Sequence, residues 1–311
     1  MGALRAIFIL IGFAVFTVPL MPLQAMFVLF DLRAARTFPH WYHRKVARIF
    51  GLSFHQAGAI EHDRPVLLVA NHVSWLDIIV LSAVTPVSFV AKMEISRWPF
   101  ISWLAKLQRT IFIDRKRRRS AAEVAQTIGE RLQDGDAVLF FPEGKAGDGN
   151  AVLPFNSSLF AAVFPPKRGG DGEDAMRAAA MLSDVQVQTV TIAYTHVSGL
   201  PLGRSGRPLV AWYGHGDLVT HAWRLLTTGP IDVTVSVGAP VPLEGFSNRK
   251  ALADATRSAI SAQLADILRF GGPDGPPARE TIRPASDARD DDTRDAALGA
   301  GGHGMHLASN A

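Results

Sequence analysis

From Pro65 onward, short β-branched runs alternate with longer stretches of helical periodicity. The segments Val66–Ala70, Val87–Ala91, Ile111–Ile113, Ala137–Phe141, Thr189–Tyr194, Leu209–Tyr213 and Ile231–Val237 read as strands. Between them, Leu76–Val84, Ile95–Lys106, Ser120–Gln133 and Ser157–Phe164 read as helices, and Ser247–Phe270 closes the series. Buried strands alternating with helices predict an α/β sheet with helices packed on it. Pro165–Glu173 is a turn-rich insertion, and no internal repeat is visible.

The N-terminus follows another pattern. Between Arg5 and Asp31 lie 25 residues without a charge, with Thr17 and Gln24 polar among apolar or small residues. As one helix this stretch would span about 37 Å, more than the ~30 Å hydrocarbon core of a bilayer. Pro19 and Pro22 interrupt it, so it reads either as a kinked span or as two short helices entering one leaflet. The apolar run continues past Pro22, and Leu23-Gln24-Ala25 is a poor cleavage site, so a retained anchor is favoured over a removable signal. Arg33, Arg36, Arg44, Lys45 and Arg48 follow the segment and only Arg5 precedes it, which keeps the body cytoplasmic. His40, Trp41, Tyr42 and His43 fit either an interfacial aromatic belt or the plain surface of a helix ending at Gly51.

Charge sharpens this. The 311 residues carry 32 Lys+Arg and 28 Asp+Glu, a formal +4. Residues 271–311 hold four Arg against seven Asp and Glu, so the rest of the chain is +7 and faces an anionic partner. That tail, rich in Gly, Pro, Asp and Ala, reads as disordered. Cysteine is absent, which excludes disulfides, thiolate metal ligands and a cysteine nucleophile.

Three short blocks carry candidate chemistry. Asn71-His72-Val73-Ser74-Trp75-Leu76-Asp77 follows a strand. Its carboxylate can orient an imidazole that removes a hydroxyl proton. Five residues are ~140° apart on a helix, so His72 belongs on the strand-to-helix turn and Asp77 one turn into the helix. Phe112-Ile113-Asp114-Arg115 delivers an arginine to a strand's C-terminal edge, where open α/β sheets bind ligands. Lys116–Arg119 extends it as a basic run, either solvated or attracted to anionic lipid. Phe141-Pro142-Glu143-Gly144 presents a glutamate at another strand end, or forms a plain turn.

In order and spacing, these blocks resemble the glycerolipid acyltransferase superfamily, typified by bacterial 1-acylglycerol-3-phosphate acyltransferases. N-H-x-x-x-x-D is matched by Asn71, His72 and Asp77; G-x-x-F-[IV]-x-R by Phe112, Ile113 and Arg115; and F-P-E-G by Phe141, Pro142, Glu143 and Gly144. A strand-like fourth block falls on Val190–Tyr194. Arg109 stands where the second block usually has glycine, and Lys145 where Thr or Ser commonly follows the third. The runs Lys106–Arg115, Val152–Phe155, Gly199–Arg204 and Val210–Gly214 look like the lyso-ornithine lipid acyltransferase branch.

The resemblance implies a mixed sheet flanked by helices; together with the hydropathy and charge pattern, it divides the chain into a membrane anchor and basic juxtamembrane helix at 1–50, an acyltransferase domain at 51–270 and a disordered acidic tail at 271–311. It implies direct transfer of a fatty acyl group from acyl-carrier protein or acyl-CoA to the hydroxyl of a lyso-lipid, at a bacterial inner membrane and on its cytoplasmic side. His72 is then the base and Asp77 its orienting partner. Arg115, Glu143 and Gly144 bind the acceptor, and the first backbone amides of the Ser74–Val84 helix offer oxyanion donors. No metal, cofactor or nucleic acid is expected; the partners are the donor, the lyso-lipid and an anionic membrane surface. Lyso-ornithine lipid presents a carboxylate and an ammonium, so Arg109 and Arg115 are assigned to the first and Asp148 to the second. Lysophosphatidate acylation is the alternative, and a non-catalytic lipid-binding protein is an alternative of another class.

Overall fold

The computed structural model describes residues 2–113, 120–164, 184–214 and 216–270. Arg115, the basic run Lys116–Arg119, the insertion Pro165–Glu173 and the 271–311 tail, each given an expected role above, lie outside them.

Helices α1 (Gly2–Leu29) and α2 (Ala34–Phe50) lead into strand β1 (Leu52–Ala57). Then come β2 (Val66–Ala70), α3 (Leu76–Val84), β3 (Ser88–Lys92), α4 (Ile101–Leu107) and β4 (Ile111–Ile113). After α5 (Ser120–Gln133) and β5 (Val138–Phe140) come β6 (Gln186–Val197) and β7 (Leu200–Pro201). Helix α6 (Leu218–Thr228), strand β8 (Ile231–Val237) and helix α7 (Arg249–Phe270) complete the described chain.

The strands form one sheet in the order β1-β8-β6-β2-β5-β3-β4, with β7 beside β6. From β6 to β4 all neighbours are parallel, whereas β8 runs antiparallel to β6. The sheet is therefore mixed. All five residues of β2 are buried, and they serve two cores by alternation. Val66, Leu68 and Ala70 pack into the layer of α1, α2, α3 and α6, while Leu67 and Val69 face α5 and α7.

Several expected elements change. The stretch 95–106 is not one helix: a 3-10 turn at Met93–Arg97 and α4 are separated at Pro99 and Phe100, the latter at φ +60°. Leu209–Tyr213 is not a strand. Pro208 lies in the 3-10 turn Arg207–Leu209, and the next residues are held instead by Trp212 N–H donating to Val73 O at 2.9 Å. Ser157–Phe164 contains only a 3-10 turn, Leu159–Val163. Strand β1 and helix α6 have no counterpart among the expected elements.

Helix α1 continues through Pro19 and Pro22 rather than breaking. It is apolar and long enough to cross a membrane, with a mean hydropathy of 2.4 in a window only 17% buried, unlike a core helix. A single stripe of Ala6, Ile9, Thr17 and Gln24 is buried against the rest of the molecule. Both polar residues of the segment lie on that stripe. Thr17 Oγ1 bonds Tyr42 Oη at 2.7 Å, and Gln24 Nε2 donates to Ala35 O at 3.0 Å and Leu107 O at 2.8 Å. Ala35 O needs an outside donor because the residue four further on is Pro39, which has no N–H.

Candidate active site

Strands β2 and β5 are neighbours and run parallel, so their C-terminal ends bring the first and third blocks to one rim of the sheet. Asn71 carries the β2–β6 pairing one step beyond the ladder: its side chain donates to Ile192 O at 2.9 Å and accepts from Ile192 N–H at 2.8 Å. The chain then turns, with His72 on the turn and Asp77 in the first turn of α3.

His72 Nδ1 lies 2.7 Å from Asp77 Oδ2. A carboxylate only accepts, so Nδ1 carries the proton and Nε2 is left as the basic atom. The imidazole stacks on Phe141 with ring centroids 4.2 Å apart. Asp77 is fully buried and satisfied at both oxygens. Oδ2 also accepts from Val73 N–H at 2.7 Å and Ser74 N–H at 3.0 Å, and Oδ1 accepts from Tyr194 Oη at 2.6 Å. Burial and the adjacent Asp77 push the Tyr194 phenol well above its usual range, keeping it a donor. The Val73 and Ser74 amides are thereby committed to Asp77, which removes Ser74 from the expected oxyanion donors.

Glu143 does not present a free carboxylate. Oε1 accepts from His72 N–H at 2.7 Å and Oε2 from Leu153 N–H at 2.8 Å, tying the histidine turn to the loop beyond the third block. Burial pushes its pKa up to about 7, against the pull of those two amides and of His72. Gly144 sits at φ +72°, where a Cβ would be strained, and closes the turn by donating to Phe141 O at 3.1 Å. Gly147 N–H returns to His72 O at 2.9 Å. Asp148 follows in an Asx turn, accepting from Asn150 N–H at 2.9 Å and Asn150 Nδ2 at 3.0 Å, and these bonds hold its carboxyl below the usual range. Phe112 is half-buried in β4, paired with Ala91, and Pro142 is buried beside Phe141.

Arg109 is not brought to the dyad. It precedes β4, at the opposite end of the parallel strands from His72, and donates to the buried Asp136 at 2.9 Å. Arg36 and Arg131 converge on the same carboxylate, each at 3.3 Å. Two arginines lie near Asp148: Arg204, whose carbonyl accepts from Asn150 Nδ2 at 3.2 Å, and Arg207, whose Nη1 donates to Asn150 Oδ1 at 2.7 Å. Arg207 follows the GLPLGR run and has no motif of its own, so nothing in the sequence marks this bond. Tyr194 lay within the fourth block, but its bond to Asp77 has no signal in the sequence.

His72, Phe141, Gly144 and Asp148 line a cavity of about 1580 Å³. Its walls are mostly apolar and include Phe13 of α1, Tyr42 of α2 and Leu104 of α4. An unprotonated imidazole nitrogen at the edge of a lipid-sized apolar space suits proton abstraction from a long-chain alcohol.

Comparisons with known proteins give the class of enzyme. Residues 51–195 match the family model described as Acyltransferase. A lyso-ornithine lipid O-acyltransferase of Brucella abortus is 40% identical, over 86% of this chain and 96% of its own length. One from Rhizobium meliloti is 38% identical, over 80% and 82% respectively. A 1-acyl-sn-glycerol-3-phosphate acyltransferase of Neisseria gonorrhoeae is 35% identical over 67% of this chain and 72% of its own. The fold is also that of the 1-acyl-sn-glycerophosphate acyltransferase PlsC from Thermotoga maritima, with TM-score 0.57 at 20% identity, covering 86% of this chain and 98% of that one. The chain belongs to the glycerolipid acyltransferase family and is an enzyme that transfers an acyl group from a donor to a lipid acceptor. Within that family it falls with the lyso-ornithine lipid O-acyltransferase branch.

Proposed function

We propose that this protein transfers a fatty acyl group from acyl-carrier protein or acyl-CoA to the hydroxyl of lyso-ornithine lipid, forming ornithine lipid. The observation that carries the chemistry is the 2.7 Å His72–Asp77 pair at the edge of the apolar cavity. His72 Nε2 takes the hydroxyl proton as the oxygen attacks the thioester carbonyl. The C–S bond then breaks, and the imidazolium returns the proton to the departing thiolate. Asp77 stabilises the imidazolium between these steps. Glu143 acts as a positioning residue for the histidine turn, since both its oxygens hold backbone amides.

The zwitterionic headgroup is read by the Asp148–Asn150–Arg207 network, with Asp148 toward the ammonium and Arg207 toward the carboxylate. This replaces the assignment of Arg109, whose guanidinium belongs to Asp136. Residues 1–50 anchor the chain at the inner membrane, and the basic groups that follow α1 keep residues 51–270 on the cytoplasmic side. Lysophosphatidate acylation is the second reading, favoured by the similarity to the Neisseria gonorrhoeae enzyme.

The test is an assay of purified protein with acyl-carrier protein thioester and each lyso-lipid in turn. Ester should form on lyso-ornithine lipid and be lost in His72→Ala. Activity surviving that substitution would refute the base, and activity on lysophosphatidate alone would favour the second reading. Ornithine-lipid synthesis undiminished in Asp148→Ala would sink the headgroup assignment.

A further inference from the structure

The bare apolar surface does not end with α1. On α6, Val219 and Trp223 lie one helical turn apart and are 75% and 41% exposed. Tyr213, just before the helix, is 48% exposed. Thr220 and Arg224 flank the pair in the exposed positions beside it, while Leu225 and Leu226 on the inner side are buried. The helix thus has a buried apolar face for the core and, along its edge, a largely uncovered strip of valine and tryptophan.

Helix α6 is fastened to α1. Arg5 donates to Leu226 O, and Gly2 lies so close to Thr227 O that an added Cβ would come within 2.5 Å of it. The strip therefore stands on a helix packed against the first turns of α1, and it lines the same cavity as the exposed Leu10 of that anchor. Both helices share the same layer of the sheet with α2 and α3, whereas α5 and α7 cover the far side. Four of the chain's six tryptophans, Trp75, Trp98, Trp212 and Trp223, line the cavity, and Trp98 packs edge-on against Trp212 at 6.0 Å. Tryptophan is the residue enriched where hydrocarbon meets headgroups.

We propose that α6 is a second membrane-contacting element, an in-plane helix that seats Val219 and Trp223 in the headgroup–acyl boundary of the leaflet holding α1. Arg224 reaches from the flank of this strip to the phosphate level. Leu218, Val219, Ala222 and Trp223 also line the cavity, so its wall at α6 opens toward lipid. The occupant is a phospholipid leaflet because the strip lines the same cavity as the anchor's exposed Leu10 and carries one cation, too few for an acidic carrier protein. The inference rests on the membrane association of α1.

The absence of cysteine permits single-site labelling of the full chain. Val219→Cys, Trp223→Cys, Phe8→Cys on α1 and Ser258→Cys on the exposed side of α7 would each carry a bimane probe. Each protein is reconstituted in phosphatidylcholine–phosphatidylglycerol vesicles containing brominated phospholipid. Probes at 219 and 223 should be quenched with the probe at 8, about twofold or more above the probe at 258. Quenching at 8 with none at 219 and 223 overturns the α6 proposal while the anchor stands. Quenching at none of the three removes the membrane reading as well. Bimane at 219 that responds to acyl-carrier protein and not to brominated lipid overturns it in favour of protein docking.

Discussion

Asp77 meets four donors with two oxygens, and this saturation makes it more than a partner of His72. Asn at this position turns an amide NH2 toward one of those donors, at a cost of about 1–3 kcal/mol for the buried donor left unpaired. It also allows the wrong imidazole tautomer. Asp77→Asn is expected to lower turnover by about 10²–10⁴-fold with the fold retained, measured as initial rates at saturating lyso-lipid. Glu143 gives a pH signature. Its folded pKa is raised from an ordinary 4.5 to about 7, so its contribution to stability is fully present below 4.5 and is lost as pH rises through 7. Denaturant unfolding at pH 5 and pH 8 should show that decline in the native protein and a flatter response in Glu143→Gln. The order and spacing of His72, Asp77 and Glu143 made them legible as a site. Glu143's actual bonds were not, because its partners are backbone amides, and a backbone amide has no residue type to read.

Among the elements, the mostly buried strands of β-branched and aliphatic residues were the easiest to foresee: Val66–Ala70, Ile111–Ile113 and Ile231–Val237 match their expected limits. The failures cluster where context decides. Strand β1, Leu-Ser-Phe-His-Gln-Ala, is a half-exposed edge whose weak alternation means little until β8 pairs with it. Leu209–Tyr213 has the composition of a strand but follows Pro208 and meets the Val73 carbonyl instead of a ladder. In α1, Thr17 and Gln24 could be counted from the sequence, yet only the fold shows them as the two hydrogen-bonding contacts along its buried stripe. Gln24→Leu leaves the carbonyls of Ala35 and Leu107 without that donor. It should destabilise the protein by about 1–3 kcal/mol in thermal unfolding followed in detergent.

At the scale of the whole molecule, one layer of the sheet gathers α1, α2, α3 and α6, the cavity and the dyad, and the opposite layer is covered by α5 and α7. Arg44 and Arg48 lie exposed on α2 in the first layer. Replacing both with Gln should weaken partition into anionic vesicles by about 1 kcal/mol per charge and leave binding to neutral vesicles unchanged, as read by flotation. The apolar walls around His72 carry a further consequence. A thioester beside a general base is open to hydrolysis, and water is the alcohol substitute present in greatest excess. Phe141 stacks on the imidazole and the cavity lining is mostly apolar, so water is poorly held beside the reacting carbonyl. Choosing lipid over water is therefore built into the shape of the cavity, and an acyl donor bound without its acceptor should wait rather than decay.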